Sequence, residues 1–111
     1  MELDITTERA GGVCVVAVNG DVDVYTSPSL KARLLEVVDG ECSRLVVALD
    51  GVGFIDSSGL GVLVGALRRL KERGDEMRIV CSSEQVLKIF RITGLDKVFP
   101  IVATLDEARE T

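Results

Sequence analysis

The sequence has no histidine and no tryptophan, and its 111 residues include only one tyrosine, three phenylalanines and two prolines. Without an imidazole, His-based acid–base catalysis and Ser-His or Cys-His nucleophile pairs are excluded. The three cysteines include no C-x-x-C pair, which argues against a zinc site. The chain therefore lacks the side chains on which His-dependent hydrolases and zinc enzymes depend, and we expect no bound metal.

The cysteines lie in two kinds of surroundings. Cys14 and Cys81 belong to apolar runs and are predicted to be buried, unreactive thiols. Cys42 follows a turn signal at Asp39-Gly40 and is predicted to be an exposed thiol, kept reduced in the cytosol.

Long apolar runs are also missing. No segment approaches the roughly 18 to 20 apolar residues that span a bilayer. The acids Glu2 and Asp4 leave no apolar core for a signal peptide near the N-terminus. We therefore expect a soluble, cytoplasmic protein without a membrane partner.

Composition and charge indicate one folded domain, residues 1–111, with a single core, since 47% of the residues are hydrophobic and 28% are charged. The net charge is −5, and the 13 basic residues are scattered along the chain. A protein that follows the phosphates of a nucleic acid needs a basic patch instead. We expect a protein partner with a basic or otherwise charged surface, and no nucleic acid.

Hydrophobic periodicity predicts an α/β fold. Gly11-Gly12 indicates an antiparallel hairpin that Gly20 ends, and a strand, helix and strand after residue 44 form a βαβ unit with parallel strands. Serine or threonine at four positions has the character of a helix N-cap. The predicted strands are 3–7, 13–18, 45–49, 77–81 and an edge strand near 98–101, and the predicted helices begin at Ser27, Ser57, Ser82 and Thr104.

The stretch from Phe54 to Gly65, Phe-Ile-Asp-Ser-Ser-Gly-Leu-Gly-Val-Leu-Val-Gly, follows the strand at 45–49 and opens a helix that ends near Gly74. Its Asp-Ser-Ser segment is thus predicted at a helix N-terminus. Free N–H groups and a partial positive charge there favour hydroxyls, carboxylates and phosphates. The segment is either a simple cap, through Asp56 or Ser57, or a site.

A helical wheel separates this helix into two faces. Ser58, Gly61 and Gly65 share the solvent side, opposite a leucine-rich side that should cover the sheet. Glycine inside a helix costs about 1 kcal/mol relative to alanine, so two exposed glycines suggest close approach by another molecule. The spacing Gly59-x-Gly61-x-x-x-Gly65 also allows a dinucleotide-binding turn, although serines occupy the tight turn where its first glycine belongs.

Three motifs, in order, resemble the STAS domain of the bacterial anti-sigma factor antagonists. The segment Phe54 to Leu63 is similar to the family's phosphorylation motif, Gly20 to Pro28 to its second conserved loop, and Phe90 to Leu95 with Phe99 to its C-terminal motif. The resemblance extends from about Leu3 to Ala108. It implies a mixed sheet of four or five strands with about four helices packed mainly on one face.

The resemblance also implies a function without catalysis or a cofactor. Members of the family, when unphosphorylated, bind an anti-sigma factor that is also an ATP-using serine kinase, and so free its sigma factor. The kinase phosphorylates the first serine of the motif, here Ser57, and the complex dissociates. A PP2C-type phosphatase resets the protein. The chemistry of the two hydroxyls alone leaves Ser58 open as the acceptor.

The expected partner-binding surface combines the loop with the start of the helix. By resemblance, the loop's Asp23 lies beside the acceptor and contacts the partner, and Asp56 shapes the position of the acceptor. The full set of expected contact residues is Asp21, Asp23, Tyr25, Asp56, Ser57, Ser58, Gly59, Gly61 and Gly65. We expect a monomer or a weak dimer.

Two other functions fit the sequence less specifically. One is a nucleotide-binding module, suggested by the glycines at a helix N-terminus. The other is a scaffold STAS module of a stress-signalling complex. A sulfate-transporter fragment is disfavoured because the sequence contains no membrane span.

Overall fold

The computed structural model describes residues 2–110. Across them, five strands form one mixed sheet in the order β1-β2-β3-β4-β5, with four α-helices and one 3-10 turn, so the predicted fold class is confirmed. In chain order the elements are β1 (Asp4–Ala10), β2 (Val13–Val22), α1 (Ser27–Asp39), β3 (Arg44–Ile55), α2 (Ser57–Glu72), β4 (Glu76–Val80), α3 (Glu84–Thr93), a 3-10 turn (Leu95–Lys97), β5 (Ile101–Val102) and α4 (Leu105–Glu110).

The sheet is covered on both faces. Strand β1 pairs antiparallel with β2, and β3 pairs parallel with β4, as the hairpin and βαβ signals predict. The pairs β2–β3 and β4–β5 are parallel as well. The larger core lies between the sheet and α1, α2 and α3, and a smaller cluster around Val46 and Ala108 lies under α4. Strand β3 runs through the middle, where Leu45, Val46 and Val47 are completely buried.

Within residues 2–110, no helix combines the length and apolar character needed to cross a bilayer.

Strand β3 is longer than predicted, and this extension places the site. It continues beyond residue 49 to Ile55, and the register with β2 shifts twice because β3 carries one extra residue at each shift. The two bulges keep Leu49, Val52 and Ile55, three residues apart, turned toward the larger core. The predicted end of the strand at residue 49 is wrong. Asp50-Gly51 has the composition of a turn, and core-facing residues that recur every three positions do not show the two-residue alternation typical of a strand.

Other predicted boundaries also move. Strand β2 passes through Gly20 to Val22, and Gly20 adopts a φ of 118° inside the strand, which glycine tolerates. Helix α1 begins at Ser27 after Thr26, so Ser27 is not the cap. Ser83, not Ser82, caps α3, because the Ser82 hydroxyl and N–H donate to Asp50 instead. The last strand is confined to Ile101–Val102 because the N–H groups of Val98 and Phe99 both donate to the carbonyl oxygen of Leu95, at the end of the 3-10 turn.

The prediction that Cys42 is exposed is wrong. Its side chain turns inward, is only 3% exposed, and donates from Sγ to the carbonyl oxygen of Arg44 at 3.1 Å. Burial and the neighbouring Cys14 thiol raise the pKa of Cys42 to about 12. Burial also raises the pKa of Cys81. All three cysteines are therefore buried, as predicted for Cys14 and Cys81.

These thiols should react slowly in the folded protein. Because the thiolate is the nucleophile, burial together with a raised pKa protects Cys42 from an aromatic disulfide reagent at mildly alkaline pH. We expect little release of the reagent's chromophore from native protein and rapid release of three equivalents after unfolding in guanidinium chloride. Fast labelling of Cys42 in the native protein, located by mass spectrometry, would contradict its placement.

Candidate functional site

The carboxyl ends of β2 and β3 bring two segments of the site together. Val22 and Ile55 are paired at the ends of these parallel strands, and the N–H of Asp56 donates to the carbonyl oxygen of Val22 at 3.1 Å. The loop that follows Val22 therefore emerges beside the first turn of α2. This pairing explains why residues more than 30 positions apart in sequence share one edge of the sheet.

Asp56 is the N-cap of α2. Its Oδ1 accepts hydrogen bonds from the N–H groups of Ser58 and Gly59, at 2.9 and 3.3 Å, and from the Ser58 hydroxyl at 2.5 Å. These bonds, the one from the Ser58 hydroxyl first, lower the pKa of Asp56 below its ordinary value of 3.8. A carboxylate thus already occupies the anion position at this helix end, which disfavours a nucleotide phosphate there.

The two serines of the motif differ in their surroundings. The hydroxyl of Ser58 is half-buried and donates to Asp56. Ser57 is exposed, and its hydroxyl forms no side-chain hydrogen bond within the described part of the chain. Of the two, only Ser57 presents a hydroxyl that a second protein can reach without breaking a bond of this one.

Asp23 holds the shape of its own loop. Its Oδ1 accepts from the N–H groups of Tyr25 and Thr26, at 2.9 and 3.0 Å. Thr26 in turn donates through its hydroxyl to the carbonyl oxygen of Asp21 at 2.8 Å, which closes the loop. Asp23 therefore fixes the loop beside Asp56, whereas the side chain of Asp21 is exposed.

Three large apolar side chains are exposed at this edge. Val24 is 63% exposed, Tyr25 87% and Phe54 43%. Apolar side chains grouped beside a polar site are typical of protein contact surfaces. Tyr25 is among the expected contact residues, whereas the sequence analysis did not single out Val24 or Phe54 as a contact residue. An apolar pair at the tip of a polar loop was the available signal for Val24.

The glycines of α2 have two different roles. Gly61 and Gly65 are exposed as predicted, and a Cβ added to either would meet no atom within 4 Å. Gly59, expected on the partner surface, is buried. A Cβ there would lie 2.5 Å from Val22 Cγ1 and 2.9 Å from Ile55 Cγ1. Gly59 therefore lets α2 pack closely on the strand ends. Because it is buried, it is not available to a partner.

A groove of about 520 Å³ lies between α1 and α2 and is open to solvent. We call it the α1–α2 groove. Its lining residues are Lys31, Leu34, Leu35, Ser58, Gly61, Val62, Gly65, Ala66 and Arg69.

Within residues 2–110, the Cys, Asp and Glu side chains do not form a group of three or more that could hold a metal ion.

The model of the STAS domain family matches residues 4–108. This chain belongs to the STAS domain family. Two similar proteins are the anti-sigma F factor antagonist of Paenibacillus polymyxa, 32% identical over 91% of this chain and 87% of its own length, and the anti-sigma-B factor antagonist of Bacillus subtilis, 30% identical over 93% and 94%. The crystal structure of an anti-sigma factor antagonist from Mycobacterium paratuberculosis aligns with a TM-score of 0.89 and 33% identity, over 96% of this STAS domain and 90% of that chain.

Alanine substitutions at Gly59 and Gly65 should have opposite effects on stability, because Gly59 is packed against the strand ends and Gly65 is exposed. Gly65→Ala should stabilise this STAS domain by up to about 1 kcal/mol, because alanine favours a helix and the added methyl group meets nothing. Gly59→Ala should destabilise it by about 1 to 2 kcal/mol, because overpacking against Val22 and Ile55 outweighs the helix preference. Urea denaturation measures both, and equal effects of the two substitutions would contradict the assigned roles.

Removal of the Asp56 cap should weaken the fold in a pH-dependent way. The lowered pKa means that the folded protein holds the Asp56 carboxylate in its charged form. Its contribution is present above the unfolded pKa, near pH 4, and is lost as the pH falls through the lower folded pKa. Asp56→Ala should therefore lower the urea midpoint at neutral pH and differ less from the original protein in acid.

Asp56→Asn is the matched control, because an amide oxygen still accepts the two N–H bonds but does not titrate. We expect it to lie between the other two proteins at neutral pH. A difference between Asp56→Ala and the original protein that stays constant into strong acid would contradict the role of the charged cap.

Proposed function

We propose that this STAS domain is an anti-sigma factor antagonist whose binding is switched off by phosphorylation of Ser57. In the unphosphorylated state it binds an anti-sigma factor that is also an ATP-using serine kinase, and the sigma factor is released. A PP2C-type phosphatase removes the phosphate, and these events take place in the cytoplasm. Two relatives at least 30% identical carry the name of anti-sigma factor antagonist, which supports the binding function.

The single observation that carries the choice of Ser57 is the contrast between the two hydroxyls. A kinase must draw the acceptor hydroxyl into its own active site. The hydroxyl of Ser58 would first have to leave the Asp56 carboxylate, whereas that of Ser57 is exposed. Ser58 then keeps a structural role in the cap, through a local bond of the kind serine commonly forms at helix starts.

The local charges explain how a phosphate releases a partner without unfolding the domain. Phosphorylation adds about −1.5 to −2 charges to a protein whose net charge is already −5. The free protein tolerates this charge because Ser57 is exposed, so its phosphate stays hydrated, and because the positive end of the helix dipole partly offsets repulsion by the Asp56 carboxylate. In a packed interface, by contrast, an unpaired charge costs about 2 to 5 kcal/mol. The penalty therefore falls on the complex and not on the fold.

The exposed apolar side chains near Ser57 indicate where a partner would exclude water. Val24 and Tyr25 lie on the loop, and Phe54 lies three residues before Ser57, so apolar surface adjoins the acceptor. A partner that covers these side chains excludes water from the serine. A phosphate inside such an interface loses its hydration without a paired cation, which strengthens the switch.

The assignment is tested by incubation with purified candidate anti-sigma kinases and ATP, followed by mapping of the phosphate by mass spectrometry. We expect one phosphate on Ser57, full loss of incorporation in Ser57→Ala, and retained incorporation in the matched control Ser58→Ala. Phosphate on Ser58 in the original protein, or incorporation into Ser57→Ala, would overturn the choice of serine.

A further inference from the structure

Helices α1 and α2 lie side by side with their residues in register. Each follows one strand and precedes the next in the parallel part of the sheet, so both run in the same direction. Near their ends, Nη2 of Arg69 contacts Oδ1 of Asp39 at 2.9 Å. The helices begin at Ser27 and Ser57, 30 positions apart, and Arg69 and Asp39 differ by the same number. Lys31, one turn into α1, therefore lies level with the first turns of α2.

The α1–α2 groove combines an apolar floor with basic ends. Leucine, valine and alanine side chains form the floor between the helices. Lys31 is exposed at the end near Ser58 and forms no ion pair within residues 2–110. Arg69 stands at the other end, paired with Asp39 but still 52% exposed, so that ion pair is weak. Because Asp39 already neutralises Arg69, the charge argument rests on Lys31, which favours a carboxylate on a bound segment at that end of the groove.

The dimensions of the groove suit a helix. It follows α2 from Ser58 to Arg69, a rise of about 16 Å at 1.5 Å per residue. The open space over Gly61 and Gly65 allows another backbone to approach closely. Interaxial distances between packed helices depend on the size of the side chains at the contact, and glycine gives the shortest approach.

We infer that the α1–α2 groove binds an acidic amphipathic helix of the anti-sigma factor. The apolar face of that helix covers the floor, and one of its carboxylates pairs with Lys31. This inference rests on the proposed function and adds the chemistry of the partner's contact segment. Ser58 lines the groove, and Ser57 is the exposed first residue of α2 directly before it. A phosphate there faces an acidic helix, so repulsion adds to the cost of desolvation.

The test is a calorimetric titration of each variant with the purified anti-sigma factors of the genome that encodes this chain, one at a time. Lys31→Glu should weaken binding by about tenfold or more, because it places like charges opposite each other. Lys88→Glu makes the same change on exposed α3, outside the groove, and should alter affinity by less than about twofold. Higher salt should weaken the original protein more than Lys31→Met.

Glycine variants test the close approach independently. Gly65→Leu should weaken binding by filling the groove, whereas Gly65→Ala should leave binding nearly unchanged; circular dichroism verifies that both are folded. Unchanged affinity of Lys31→Glu, or equal weakening by Lys88→Glu, would overturn the inference. If Ser57→Glu abolishes binding while Lys31→Glu binds normally, only the groove assignment fails. If the original protein binds none of the anti-sigma factors, the proposed function fails with it.

Discussion

The cap formed by Asp56 is the interaction on which the site depends. The backbone N–H of Asp56 donates to the carbonyl oxygen of Val22 at the end of β2, and its carboxylate accepts from the N–H groups of the first turn of α2. The same carboxylate binds the hydroxyl of Ser58 and leaves that of Ser57 exposed. The backbone of Asp56 therefore joins the two segments of the site, and its side chain caps the helix and determines which of two neighbouring serines keeps an unbonded, exposed hydroxyl.

The cap also separates the stability of the domain from its binding. Helix α2 is held to the sheet by its buried leucines and by the close packing of Gly59, on the side away from the α1–α2 groove. The exposed side carries Ser57, Gly61 and Gly65, which contribute little to the core. A charge added at Ser57 meets solvent and a favourable helix dipole in the free protein. In the proposed complex the same charge meets another protein, so the proposed switch destabilises the complex and not the fold.

The sequence allowed prediction of the fold class, the antiparallel hairpin, the βαβ unit and the exposure of Gly61 and Gly65, because periodicity and turn residues report on local structure. It did not reveal the far half of β3, where two bulges break the alternation. It placed Cys42 at the surface and Gly59 in the interface, although tertiary packing buries both. The difference between Ser57 and Ser58 also needed coordinates, because a hydrogen bond to Asp56 separates two chemically identical residues.

We propose that a single phosphate on Ser57 ends binding while the fold persists. The most direct measurement is the affinity of purified anti-sigma factor for the unphosphorylated and the Ser57-phosphorylated protein, with urea unfolding of both forms alongside. We expect a loss of about 100- to 1000-fold in affinity and nearly equal unfolding midpoints. Equal affinities, or weaker binding explained by unfolding of the phosphorylated protein, would contradict it.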